Sequence, residues 1–393
     1  MKIVGLELIP LTMIFKANIK ESFGTVGKRE DNLIIKIYTD EGIYGLGEAC
    51  TLGPFYCGES QETVMGIIQH HLYPKVLEGA DPFDVEMIHV KMDKFVYANT
   101  VAKAGVDYAL HDIIGKKLGV PLYKLLGASK PYFDKIPTRA SVGIDDPKAM
   151  AEKAAMLHEM GFGGIKMKVG LEPIKDIERV KAIRDAIGPD MLIDIDVNGA
   201  YRAKEAVYML RRVQDCGNII VEQPVGRDDY EGMKYVRERV DIPIGACEAA
   251  LSQQQIMRLI RMDACDFFNF KPTRSGGIFP AKQVMHMAEA AGKFIVLSEQ
   301  LGSSVELSAV GHLAFSTPTI MIPGGYAAGV MGMAGRFTTE GSDADIVDNP
   351  MQVKGGCLLP PTDNPGLGVD LVEEKWRRYL TEGKEIVRLG KCD

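Results

Sequence analysis

Two lysines, Lys166 and Lys168, stand one residue apart in the run GGIKMKVG, whose other residues suit burial. Side chains two apart on a strand leave from the same face, so this segment aims two amines at one place. Similar runs follow, each ending on ionisable or polar groups. MLIDIDVNG carries Asp194, Asp196 and Asn198; NIIVEQP carries Glu222; IPIGACEA carries Glu248; DFFNFKPT carries Lys271; KFIVLSEQ carries Glu299. If these runs are successive strands, Asp196, Glu222 and Glu248 converge on one point. Three clustered carboxylates repel one another in a partly dry site unless a cation neutralises them. Oxygen donors favour a hard ion, Mg²⁺ first and Mn²⁺ second. Cys247 is the one thiol beside this set. On an alternating strand it faces away from Glu248 and reads as packing.

A lysine with the ordinary pKa near ~10.4 is protonated at neutral pH and cannot act as a base. A second cation on the same strand face disfavours the charged form and lowers that pKa. Lys168 therefore reads as a proton-transferring base. Lys166 reads as the neighbour that tunes it and touches a substrate carboxylate, and Lys271 as a second amine on the far side of the acids. The matching chemistry is removal of a proton α to a metal-bound carboxylate, through an enediolate. Return of a proton by Lys271 to the opposite face inverts the centre, as in a racemase or epimerase. Departure of a β-substituent makes the reaction an elimination instead. Two plainer readings compete: a structural ion network joining both lysines to Asp194 and Asp196, and a non-catalytic barrel that only binds carboxylates.

These residues need elements that bring them together. From residue 131 to 364 short strand-like runs recur, beginning with IPTRASVG and ending with TIMIPGGY, with helical patterns such as DPKAMAEKAAMLHEMG between them. Eight such runs give the βα period of a TIM-type barrel, an α/β fold whose active sites lie at the carboxyl ends of the strands. Residues 1–130 differ. DNLIIKIYTDEGIYGLGEAC reads as a hairpin turning at Asp40-Glu41-Gly42, and VAKAGVDYALHDIIGKKLG as a helix closed by Gly119, which together suggest a small α+β domain.

The chain has 393 residues, 46% hydrophobic and 25% charged, enough for a large core. Net charge is -7 with no basic tract, which argues against nucleic acid or an anionic membrane as partner. The apolar start is broken by Glu7 and Pro10 and reads as a first strand rather than a secretion signal; no run is long enough for a membrane span. Seven cysteines without a CxxC pair fit reduced thiols in a cytoplasmic protein.

The combined pattern resembles the enolase superfamily, and within it the muconate lactonizing subgroup. The resemblance rests on KMK at 166–168, DVN at 196–198, EQP at 222–224, NFKPTRSGG at 269–277, GLGEA and YCGES, and it spans essentially the whole chain. It implies a modified (β/α)7β TIM barrel at 131–364 with an α+β capping domain at 1–130, completed by residues 365–393. It further implies Asp196, Glu222 and Glu248 as Mg²⁺ ligands, Lys168 and Lys271 as the acid/base pair, and a homo-oligomer. The expected activity is racemisation or epimerisation of an amino-acid derivative. A muconate-type cycloisomerase, or a dehydratase using the same lysines, is the alternative.

The chain departs from the subgroup in carrying Cys247-Glu248 where Asp-Glu is usual, and Gly302 where relatives often have an acid. No histidine ends the seventh strand, unlike the mandelate-racemase-like members; all seven histidines fall in helical patterns. The substrate is a small carboxylate. Candidate contacts are Glu299 for a cationic nitrogen, Arg139 and Lys28 or Arg29 for a distal anion, and Phe23, Phe55 and Tyr56 from loops 16–30 and 51–58, which the resemblance assigns to a lid.

Overall fold

The computed structural model describes residues 1–14, 19–26, 29–320 and 345–392. Five strands open the chain: β1 (Ile3–Ile14), β2 (Ile19–Glu21), β3 (Gly24–Val26), β4 (Arg29–Thr39) and β5 (Tyr44–Cys50). β4 and β5 form the hairpin read from the sequence, with Tyr38 opposite Tyr44 and Gly42 at φ 74° in the turn. β1 pairs antiparallel with β4, and the carboxyl-terminal strand pairs with its other edge, setting Leu389 opposite Leu6. The apolar start of the chain is thus a strand buried on both faces. Leu6 and Leu8 enter a cluster with Val106, Leu110 and Ile113, whereas Ile9, Leu11 and Met13 enter one continuous with the barrel core.

The helix Thr100–Leu118 packs directly on β5, and Gly119 at φ 68° ends it. The GLGEA motif explains how closely. A Cβ at Gly47 would lie 1.8 Å from the carbonyl oxygen of Gly105, and one at Gly45 would lie 2.0 Å from that of Ala109. Helix and sheet can approach to this distance only without side chains there. Gly47→Ala is expected to lower the urea-unfolding free energy by about 1–3 kcal/mol, the usual cost of forced overpacking.

The second layer begins after β6 (Ile136–Pro137). Seven parallel strands follow: β7 (Arg139–Val142), β8 (Gly164–Lys168), β9 (Leu192–Asp196), β10 (Ile219–Glu222), β11 (Ile244–Ala246), β12 (Phe267–Phe270) and β13 (Phe294–Leu297). They pair in sequence order, β13-β12-β11-β10-β9-β8-β7, with helices between them. This is the modified TIM barrel with an α+β cap. The first run, IPTRASVG, divides at Thr138. Its leading part joins β15 (Cys357–Leu358), which pairs in turn with β14 (Val353–Lys354), and Thr138 donates from backbone and side chain to the Gly356 carbonyl. Of the eighth run, Ile320 makes a parallel bridge to Ile295, and residues 321–326 lie outside those described. The chain closes on β16 (Val387–Gly390), the strand paired with β1.

Two buried acids fasten the layers. Asp107, on the cap helix, accepts from the Ile278 amide at 2.6 Å at the start of the barrel helix Ile278–Ala290, and from His89 at 2.8 Å. Glu48, on β5, accepts from the amide and hydroxyl of Ser303 at 2.9 and 2.6 Å and from the Glu306 amide at 3.2 Å. Each carboxylate thereby satisfies otherwise orphaned N–H groups at a helix N-terminus.

Candidate active site

Strand register sets the geometry. In the parallel ladder Lys168 lies beside Asp196, and Asp196 beside Glu222, so an amine and two carboxylates share one level at the strand ends. Lys166, one pleat lower, lies beside Asp194. All five are buried. Lys166 Nζ is 2.5 Å from Glu222 Oε2, 3.0 Å from Asp196 Oδ2 and 3.7 Å from Asp194 Oδ2. Lys168 Nζ is 2.8 Å from Asp196 Oδ2, 3.2 Å from Asn198 Oδ1 and 3.1 Å from Glu21 Oε1. Asn198, in the left-handed region at φ 50°, also donates to Glu248 Oε1 at 2.9 Å. Asn269, on β12, donates to Glu222 at 2.7 Å.

These charges invert one expectation. Burial pushes both lysines toward neutrality, and Lys166 adds its repulsion to Lys168. The facing acids outweigh both effects, Asp196 and Glu222 for Lys166, Asp196 and Glu21 for Lys168, and hold both amines above their ordinary value. The lysine neighbour alone does not set the balance. Conversely, Asp196 is held low by Lys166 and Lys168 against its burial, while burial and then repulsion from Asp196 push Glu248 up.

The end of β11 gives a second correction. The strand stops at Ala246, and the chain then bends instead of alternating. Gln223, itself at φ 42°, accepts through Oε1 from the amides of Cys247 and Ala249 at 3.0 and 3.1 Å and fixes that bend. As a result Cys247 and Glu248 both face the strand-end cluster, with donor atoms of Glu222, Cys247 and Glu248 all within 4.8 Å of one another. Arg274 Nη2 donates to Cys247 Sγ at 3.0 Å and Nη1 to the Tyr56 hydroxyl at 3.3 Å. The Tyr56 ring lies 5.2 Å from Lys271 Nζ, and Lys271 follows β12, on the other side of β9, β10 and β11 from β8 in the strand order.

Arg139 does not reach the mouth. It is wholly buried at the start of β7 and is ion-paired with Asp194, so it is a counter-charge inside the barrel rather than a hand for a distal anion. Burial, against Arg139 and Lys166, raises Asp194 to about 6. Glu299 is buried just past β13; burial, and after it repulsion from Glu299, pushes the neighbouring Glu306 up to about 7. From the cap, the β2–β3 hairpin sits over the strand ends, with Ser22 Oγ donating to Val197 O at 3.0 Å. Phe23 meets Phe55 with ring centroids 5.0 Å apart, and Phe55 meets Tyr56 at 6.2 Å. Lys28 lies outside the described residues, as do 16–18 and 27 of the expected lid.

The sequence reading had no role for Glu21, Asn269, Gln223 or Arg274. Asn269 shares the strand face of Lys271, and alternation would have found it. Glu21 becomes visible only when the hairpin folds over the barrel. As for a cation, the donors suit one. Asp196, Glu222 and Glu248 are all buried, Asp196 lies beside Glu222 in the ladder, and the donor atoms that come within 4.8 Å of one another are those of Glu222, Cys247 and Glu248; Glu248 Oε2 is buried and has no hydrogen-bond partner among the described residues.

Comparison with known proteins agrees with this fold. Residues 10–127 match the family model for the mandelate racemase / muconate lactonizing enzyme N-terminal domain, and residues 149–375 the enolase C-terminal domain-like model. An N-succinyl-L-Arg/Lys racemase of Bacillus cereus is 35% identical over 391 residues, 99% of this chain and 100% of that protein. Its crystal structure superposes with a TM-score of 0.89, covering 98% of this chain and 100% of that one. A dipeptide epimerase from Cytophaga hutchinsonii, solved with Mg and the dipeptide D-Ala-L-Val, gives a TM-score of 0.88 at 28% identity, covering 99% of this chain and 100% of that one. Muconate cycloisomerase 1 of Acinetobacter baylyi is 30% identical over 346 residues, 87% of this chain and 90% of that protein.

Proposed function

The chain belongs to the mandelate racemase / muconate lactonizing enzyme family of the enolase superfamily, and from that premise we propose that it is an isomerase racemising or epimerising the α-carbon of an amino-acid derivative. One observation carries the reading. The sheet order sets the acid-bearing ends of β9, β10 and β11 between the end of β8, with Lys168, and the end of β12, with Lys271. A carboxylate seated at those acids has an amine on each side of its α-carbon.

Asp196, Glu222 and Glu248 would hold a divalent cation, Mg²⁺ or Mn²⁺. When bound, it supplies positive charge that pairs these acids with the substrate carboxylate and stabilises the enediolate. With Asp196 so engaged, Lys168 would keep Glu21 as its acid partner, against burial and the like charge of Lys166, both of which favour the neutral amine. Lys168 then takes the α-proton from one face and Lys271 returns one to the other. Lys166 bonds the substrate carboxylate, while Asn198 and Glu21 orient Lys168 Nζ. Phe23, Phe55 and Tyr56 cover the remainder of the substrate and exclude water.

The test is turnover of N-acyl amino acids and dipeptides in D₂O with Mg²⁺. Deuterium is expected at the α-carbon of a substrate that also loses optical purity, and chelation is expected to stop both. The Acinetobacter relative favours cycloisomerisation as the second reading. It would show as turnover of an unsaturated diacid with no exchange into any amino-acid derivative.

A further inference from the structure

The donor set at the strand ends is not made of oxygen alone. Beyond β11 the bend fixed by Gln223 turns Cys247 Sγ toward Glu222 and Glu248, with one donor atom from each within 4.8 Å of the other two. Glu248 is 6% exposed, and its Oε2 is buried with no hydrogen-bond partner among the described residues. Cys247 itself is 1% exposed, with the Arg274 guanidinium 3.0 Å from its sulfur. Two carboxyl oxygens and a sulfur at this spacing form a mixed site, with a guanidinium that donates to the sulfur in the way outer partners orient metal ligands.

We propose that Cys247 supplies a sulfur ligand to the cation centre, so that this centre prefers thiophilic divalent ions such as Zn²⁺ and Co²⁺ over Mg²⁺. The proposal rests on the cation site of the preceding section and changes its chemistry. Thiolate and carboxylate together suit zinc and cobalt, whereas Mg²⁺ gains little from sulfur. Binding converts the thiol to a thiolate, with the proton passing to solvent as the sulfur–metal bond forms. Cys57, which accepts from Gln300 at 3.4 Å, does not belong to this donor group among the described residues.

The full-length protein, stripped with chelator and titrated with Co²⁺, is expected to show a sulfur-to-cobalt charge-transfer band in the near ultraviolet. Cys247→Ser and Cys247→Asp are expected to lack the band. In Zn²⁺ competition the Cys247→Asp variant is expected to bind at least about 10-fold more weakly than wild type, and to bind Mg²⁺ more tightly. A wild-type protein without the band overturns the proposal, whether or not cobalt binds, and needs no variant to fold. A band that survives in Cys247→Ser overturns it as well. The racemase reading is judged separately by α-carbon exchange, so a protein with the band and no exchange on any substrate loses that reading and keeps its sulfur ligand.

Discussion

Lys271→Ala is expected to abolish net inversion yet leave exchange of the α-proton on one face of the substrate, and Lys168→Ala to do the reverse. Each variant loses racemisation by about 10²–10⁴-fold, the range contributed by a positioned acid or base. The split follows from placement. Lys168 is held by Asp196, Asn198 and Glu21 on one side of the acids, and Lys271 lies by Tyr56 on the other. With one amine gone, the remaining amine still exchanges the proton it faces. The measurement is deuterium incorporation from D₂O into each enantiomer separately. Equal loss for both enantiomers in either variant would mean the lysines act as one charged patch, and undiminished racemisation would mean that the lysine removed takes no part in the proton transfer. Asp196 keeps Lys166 at 3.0 Å when Lys168 is removed, so the cluster does not lose its last counter-charge.

A second large effect is expected away from the chemistry. Arg139 and Asp194 form an ion pair with both side chains wholly out of water. Nε and Nη2 of Arg139 have no hydrogen-bond partner among the described residues. Asp194→Ala strands the guanidinium in the barrel, and a loss of about 3–5 kcal/mol in unfolding free energy is expected, as when one partner of a buried pair is removed. Arg139→Met is expected to cost less, because Asp194 retains Lys166 at 3.7 Å. Joining Arg139→Met with Asp194→Leu removes both charges and is expected to recover most of the loss. Urea unfolding followed by circular dichroism measures all three. A cost below about 1 kcal/mol for Asp194→Ala would mean that water reaches the pair.

The legible part of this site was the part governed by strand alternation. Lys166 with Lys168, and Asp194 with Asp196, share faces because they are two apart on β8 and β9, and the parallel register aligns them. The hairpin at Gly42 and the helix ending at Gly119 were legible for local reasons, both being left-handed turns that glycine adopts readily. Reasoning failed where alternation stopped. Cys247 lies past the last paired residue of β11, and a side chain from the neighbouring strand, Gln223, decides its direction. Arg139 was placed at the mouth because its strand leads there, but it stands at the entry of β7 and reaches inward. The protonation of Lys168 was argued from its neighbour along the chain, whereas its strongest partners lie across the sheet and in the cap.

Asp107 and Glu48 give the molecule a further property. Both are rooted in the amino-terminal layer, yet each completes the first turn of a barrel helix. Rocking one layer against the other would strip two helix ends of their acceptors in the dry interior. If the β2–β3 hairpin and the segment around Phe55 cover the substrate as proposed, its entry and the escape of product would fall to them. Either can be exchanged for another in the course of descent, altering which molecules are admitted while the chemical apparatus beneath stays as it is.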